Sequence, residues 1–365
     1  MSECRKLKIL FLLLVALCCI PLAVSGQGTN IAYQDSQVRF TVVTDGTLRL
    51  EYAPDGQFID DFSFVAVNRH YPAVDYKLKK DGNWIELSTS RFRMKYKKGS
   101  GQFTSRNLSI TSAKGMYPFR WMPGMKQKCN LKGTYRTLDG YDGDKHIHTN
   151  ELMPLEDGLL ATDGWTLIDD SDNFLFDDAD WTWVKPREKK GSQDWYFMAY
   201  GHDYKSALKD YTMFAGKIPL PPRYAFGYWW SRYWAYSDNE MRDMVSQFEK
   251  FNIPLDVLVV DMDWHETDSL FAKPDKWGQR KHWTGYTWEK RLFPDPDQFF
   301  DWAKSKHLKT TLNLHPASGI APFESQYKDF AKRMNFDIST HENIPWQGSN
   351  KKFMKVLETI ARMNG

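Results

Sequence analysis

The sequence predicts an all-β sandwich followed by the first part of an α/β (β/α)8 TIM barrel, truncated before the barrel closes. Three observations predict it. Up to about residue 211, short runs with apolar residues at every second position recur between Asp-Gly turns. A stretch from Lys217 to Pro222, with prolines at 219, 221 and 222, then interrupts the chain. Beyond it the pattern changes to strand, helix, strand, helix, and apolar strands end on carboxylates and aromatics, as a barrel delivers them to its active face.

In the first part, Phe40 and Val42 alternate with polar neighbours. Asp45 and Gly46 supply a tight turn, and Leu48, Leu50 and Tyr52 alternate again. The device repeats at Asp81-Gly82, with Ile85 and Leu87 and then Phe92, Met94 and Tyr96 behind it. Short strands of this kind predict a sandwich over residues 27–214, and residues 31 to 211 read as β structure. Further Asp-Gly pairs at 139, 142, 157 and 163 mark a loop-rich second half.

The prolines can join neither a ladder nor a helix interior, so residues 215–222 read as a stiff linker to a partial barrel over 223–365. Ser237 and Glu240 have the spacing of a capping box, and Met241, Met244, Val245, Phe248 and Phe251 share one helix face. Leu255 to Val260 is an unbroken apolar run, the mark of a buried parallel strand. Asp295 and Pro296 start a second helix through Trp302, Thr310 to Leu314 forms a third strand, and Phe353, Leu357 and Ile360 line a last helix that stops at Asn364-Gly365. Three strand–helix units would leave an eight-stranded barrel with an open apolar edge. The expectation is therefore a fragment or a prematurely terminated product.

At the amino end, Arg5, Lys6 and Lys8 precede an apolar run, Ile9 to Val24, shorter than the roughly 20 residues of a membrane span. Small residues at Val24, Ser25 and Gly26 complete a signal peptide over 1–26, so the product is expected to be secreted or periplasmic, without stable membrane insertion. Lipidation at Cys18 or Cys19 is the competing reading, although Leu17 stands where a small residue is wanted. Cleavage would leave Cys129 alone, which excludes an intrachain disulfide. A net charge of +3 with interspersed signs offers nothing to nucleic acid. Aromatics make up 15% of the chain, a content that serves large cores and sugar sites alike.

Asp261 and Asp263 lie two apart after the second barrel strand, so their side chains leave on one side if the strand continues. A substrate-binding pair competes with a pair that caps loop amides. A metal set of Asp261, Asp263, His265, Glu266 and Asp268 lacks the glycine of a calcium loop, and no metal or cofactor is expected. The segment from Trp264 to Arg291 is long and holds Trp277, His282, Trp283, Tyr286 and Trp288, which suits a loop that shapes a binding site.

Three blocks also resemble a known family: RYAFGYWWSRYWAYSD from Arg223, PLDVLVVDMDW from Pro254 and LKTTLNLHPASG from Leu308. They are similar, in order and spacing, to glycoside hydrolase family 31, which cleaves α-glycosidic bonds. The resemblance covers the last two-fifths of the chain and corresponds to the N-terminal part of family members. It implies that Asp261 binds sugar hydroxyls, that Trp234 helps wall the sugar subsite, and that His315 stands where better-known members carry an aspartate. One extra residue between Arg232 and the tryptophan leaves the match at Tyr233 or Trp234. Asp263 and Trp264 join the substrate-binding candidates.

The resemblance further implies a retaining mechanism with two carboxyl groups about 5–5.5 Å apart, both expected beyond Gly365, so that no catalytic residue is assigned within the chain. The leading expectation is a hydrolase of α-linked glycosides acting on an oligosaccharide or glycoside, as an α-glucosidase or α-xylosidase does, present as an inactive fragment. The alternatives are a non-catalytic carbohydrate-binding remnant and a product that does not fold past the linker.

Overall fold

The computed structural model describes residues 30–133, 155–188, 191–266 and 285–363. The expected signal peptide with Cys18 and Cys19, the Asp-Gly pairs at 139 and 142, and the Asn364-Gly365 stop lie outside the described residues. The chain divides into two compact units, Met1–Ile218 and Pro219–Gly365.

In the first unit, β1 (Ile31–Gln34), β2 (Val38–Val42), β3 (Thr47–Tyr52), β9 (Trp165–Asp169) and β12 (Gln193–Ala199) form one antiparallel sheet in the order β1-β2-β3-β12-β9. A second sheet runs as a meander through β4 (Lys77–Asp81), β5 (Trp84–Ser88), β6 (Phe92–Lys97), β7 (Leu108–Ser112) and β8 (Arg120–Trp121). A short hairpin pairs β10 (Leu175–Phe176) with β11 (Val184–Lys185). The period-two pattern puts Phe40, Val42, Leu48 and Leu50 of one sheet into a common core with Ile85, Leu87, Phe92, Met94 and Tyr96 of the other. The rings of Phe40 and Tyr96 meet edge to face at 5.3 Å across it. Burying each such side chain stabilises the fold by about 1.5–3 kcal/mol. Gly82 adopts φ +55° in the two-residue loop between Asp81 and Trp84, the conformation that such a hairpin requires.

The polar residues that alternate with this core do not face water. Arg39, Arg49 and Glu51 are each at least 93% buried, on the opposite face of β2 and β3. Arg39 grips Glu51 through Nε and Nη2 at 2.6 and 2.7 Å, and Arg49 grips Asp194 of β12 at 2.8 Å twice. Arg187 extends the network from Asp194 to Asp170. Burial pushes the Asp194 carboxyl up, but Arg49 and its neighbours outweigh this and hold it at about 2.

One expectation for this unit is corrected. Residues 204–211, read as the end of the β region, belong to helix α1 (Tyr204–Ala215). Asp203 caps it by accepting the Ser206 N–H, and Ala207 and Phe214, seven apart, turn to one side. They pack with Tyr196, Met198 and Tyr200 on the outer face of the first sheet.

The second unit carries a parallel sheet, β13-β14-β15, of Trp229–Trp230, Val257–Val260 and Lys309–Leu312. Helix α2 (Asp238–Lys250) follows the first strand and α3 (Pro296–Ser305) follows the second. The expected capping box is present: the Ser237 side chain accepts the Glu240 N–H, and Glu240 accepts the Ser237 N–H. Met241 and Val245 of α2 and Phe299 and Ala303 of α3 pack on Leu258 and Val260. Phe251, expected on the buried face of α2, is 66% exposed, because the helix ends at Lys250 and the chain turns at Asn252 with φ +53°. Two further helices, α4 (Tyr327–Met334) and α5 (Lys351–Met363), share a separate core through Phe330 and Phe353, whose rings lie 5.0 Å apart. The sequence reading contained α5 and missed α4.

Candidate functional site

Parallel pairing brings the carboxyl ends of β13, β14 and β15 to one edge of the sheet, with Val260 opposite Leu312. The central strand stops at Val260, and Asp261 caps a single 3₁₀ turn, Met262–Trp264. Asp261 is half-buried. Its Oδ1 accepts the Met262 N–H at 2.9 Å and the Asn313 side-chain N–H at 2.5 Å. Among the described residues, its Oδ2 accepts no hydrogen bond.

Asp263 does not share that position. The two-residue argument requires an extended strand, whereas a 3₁₀ turn rotates about 120° per residue and sends the next-but-one side chain elsewhere. Asp263 is 2% exposed and sits inside the unit, and Trp264 is buried with it. The Trp264 indole donates to the Asn313 carbonyl at 2.8 Å and meets the Trp288 ring at 4.8 Å. Trp264 is therefore a core residue of this unit and not an exposed wall.

At the end of β13, Trp234 and Tyr233 are 57% and 53% exposed. The Arg232 guanidinium lies 5.7 Å from the Trp234 ring centroid, and the Tyr236 N–H donates to the Trp234 carbonyl at 2.9 Å. His315 follows β15, half-buried, at the start of a 3₁₀ turn, Pro316–Ser318. Trp234, Asp261 and His315 thus follow the three strands, four, one and three residues past their last residues.

The long loop is described only at its ends, and Asp268, Trp277, His282 and Trp283 lie outside the described residues. Its return is structural: Tyr286 and Trp288 are buried, and Glu266 and Glu289 pair by backbone with Thr287 and Trp264. Burial and the nearby Glu289 push the Glu266 carboxyl up, while hydrogen bonds from Arg291 hold Glu289 down. Among the described residues, no group of three or more His, Cys, Asp or Glu is arranged to hold a metal ion, and no helix is long and apolar enough to cross a membrane.

Residues 218–361 match the family model for the TIM-barrel domain of glycosyl hydrolases family 31. This segment belongs to family 31. An alpha-xylosidase of Saccharolobus solfataricus is 28% identical over 34% of this chain and 15% of its own length. Alpha-xylosidase XylQ of Lactiplantibacillus pentosus is 27% identical over 42% and 18%, and neutral alpha-glucosidase C of Macaca fascicularis is 26% identical over the same shares. The chain thus spans less than a fifth of the length of these relatives. In structure it is similar to a family 31 dextranase of Flavobacterium johnsoniae complexed with glucose, with a TM-score of 0.54 at 15% identity over 88% of this chain and 43% of that one. A family 31 alpha-xylosidase from a soil metagenome, complexed with xylose, gives 0.55 at 13% identity over 93% and 56%.

Sequence reasoning missed Asn313. Its only signal was a polar residue between Leu312 and Leu314 at a strand end, which reads as one more alternation.

Proposed function

We propose that this chain is the sandwich and the first barrel units of a family 31 enzyme that hydrolyses α-linked glycosides with retention, and that Asp261 is its sugar-binding carboxylate. One observation carries the reading. Asp261 stands at the carboxyl end of the central parallel strand with one oxygen fixed by two donors and the other free of donors among the described residues. A carboxylate held this way accepts hydroxyl hydrogens in charge-assisted bonds. Exposed Trp234, in the loop that follows the adjacent strand, offers an apolar ring to a pyranose face. Relatives named alpha-xylosidase and alpha-glucosidase make α-xylosides and α-glucosides the substrates to try first. No residue described here is assigned as nucleophile or acid/base, and no cofactor enters the reading. Export follows from the charged and apolar N-terminal segment.

The test is saturation-transfer NMR of the purified chain with methyl α-D-glucopyranoside and methyl α-D-xylopyranoside, alongside hydrolysis of the aryl α-glycosides. Binding that Asp261→Ala abolishes, without turnover, is the expected result. It leaves the carbohydrate-binding reading as the description of this chain alone. Turnover would move Asp261 or Asp263 into a catalytic role, and binding unaffected by Asp261→Ala would remove Asp261 from the site.

A further inference from the structure

We propose that Asn313 positions Asp261 for its ligand, so that Asp261 recognises hydroxyl donors through Oδ2 alone; this rests on the glycoside-binding reading of Asp261. Asn313 is tied at three points to the end of the neighbouring strand. Its N–H donates to the Val260 carbonyl at 3.0 Å, its carbonyl accepts the Trp264 indole N–H at 2.8 Å, and its carboxamide donates to Asp261 Oδ1 at 2.5 Å. Any residue could supply the first two bonds, because both use the backbone. The side chain makes only the third among the described residues, so the choice of asparagine at 313 serves Asp261.

The consequence for Asp261 is geometric. The last torsion of an aspartate is broad and close to two-fold, so an unsupported carboxylate presents either oxygen over a wide arc. Two donors on Oδ1, the Met262 N–H from the turn and the Asn313 amide from β15, fix the carboxylate plane. Oδ1 then has both lone pairs engaged, and Oδ2 keeps two for the ligand. This arrangement fits a neutral ligand that brings one or two O–H donors to a single oxygen, such as adjacent hydroxyls of a pyranose. Fixing the acceptor beforehand removes ordering that binding would otherwise have to supply.

Two readouts on the full chain test this. The first is independent of sugar. In ¹⁵N NMR spectra the Asn313 carboxamide protons are expected to be protected from exchange, and Asp261→Ala should abolish the protection. Carboxamide signals that ignore Asp261→Ala would overturn the pinning itself. The second uses methyl α-D-glucopyranoside and its deoxy analogues with Asn313→Leu and Asn313→Asp, both with asparagine's count of side-chain heavy atoms and its branching at Cγ. Asn313→Leu should weaken the parent glycoside about tenfold and shrink its preference over the deoxy sugars. Asn313→Asp should weaken it further by setting a second carboxylate against Oδ1. Loss of affinity with an unchanged preference would show a merely structural asparagine and overturn the proposal. If no sugar binds wild-type chain while the carboxamide responds to Asp261→Ala, the glycoside reading fails and the pinning stands.

Discussion

Thr287 Oγ1 lies 2.5 Å from Glu324 Oε2 and ties the return of the aromatic loop to the turn before α4. The same hydroxyl accepts the Ser325 N–H and lies 3.0 Å from Gln326 Oε1, while Gln326 Nε2 donates to the Tyr286 carbonyl. One hydroxyl hydrogen cannot serve both the Glu324 and the Gln326 oxygens. A protonated Glu324 resolves this by donating to Thr287, which then donates to Gln326.

Burial pushes the Glu324 carboxyl up to about 7, against the hydrogen bonds from Thr287 and from the Tyr286 amide, and the charge of Glu266 adds to the rise. The folded state then holds a proton that the unfolded chain releases near its ordinary value of 4.5. The contribution is fully present below about 4.5 and is lost as pH rises through about 7. It amounts to about 3 kcal/mol across that window. Glu324→Gln carries an amide in place of the acid, so the wild-type stability minus that of the variant should fall between pH 4.5 and 8. Amide exchange at Tyr286, corrected for intrinsic rate, reports it locally. A difference that is flat or rises with pH would show Glu324 to be ionised throughout.

Arg49 is the first of the guanidinium groups that keep Asp194 ionised inside the first unit, with Arg69 and Arg187 behind it. Arg49→Met should cost about 3 kcal/mol, since the buried Asp194 loses its two shortest guanidinium bonds and keeps only Arg187 at 3.2 Å. Asp194→Asn in the same chain should recover part of the loss. Urea unfolding at pH 7 measures both. Because Asp194 is held at about 2, its contribution is present above its ordinary 3.8 and fades as pH falls toward 2. Equal destabilisation by the double and single variants would mean that Arg49 acts through packing.

These two clusters show where the sequence was silent. Alternation in β2 and β3 fixes which residues face the core, but it cannot say that Arg39, Arg49 and Glu51 lie under a further layer. Arg49 finds Asp194 145 residues away, and Asp194 leads on through Arg187 to Asp170, so no local pattern links them. The strand–helix order, the capping box and the placement of Asp261 were legible, because each depends on neighbours within a few residues. Asp263 was misplaced because strand periodicity was carried three residues past Val260, into a turn. Helix α1 was missed because its Tyr204, Leu208 and Tyr211 are also good strand residues, and only the Asp203 cap marks it.

Ser237→Ala removes the acceptor for the Glu240 N–H and the hydroxyl that meets Glu240 Oε2. The loss should be about 1 kcal/mol. Urea unfolding followed by circular dichroism measures it, and an unchanged midpoint would show that the box adds nothing to α2.

Trp264 and Trp234 were paired as sugar-site tryptophans by sequence, and the structure separates them at 6% and 57% exposure. Trp264→Phe keeps most of the buried ring but takes the indole donor from the Asn313 carbonyl. That should cost about 1–3 kcal/mol of stability, together with a modest loss of glycoside affinity, because Asn313 is loosened on the side that holds Asp261. Trp234→Ala should leave stability within about 0.5 kcal/mol while it lowers affinity for the pyranoside, since an exposed ring contributes little to the fold. Thermal melts and glycoside titrations on the two variants give a crossed result if this assignment holds. A stability loss at Trp234 with unchanged affinity would make it a packing residue and return the search for the sugar wall to Tyr233.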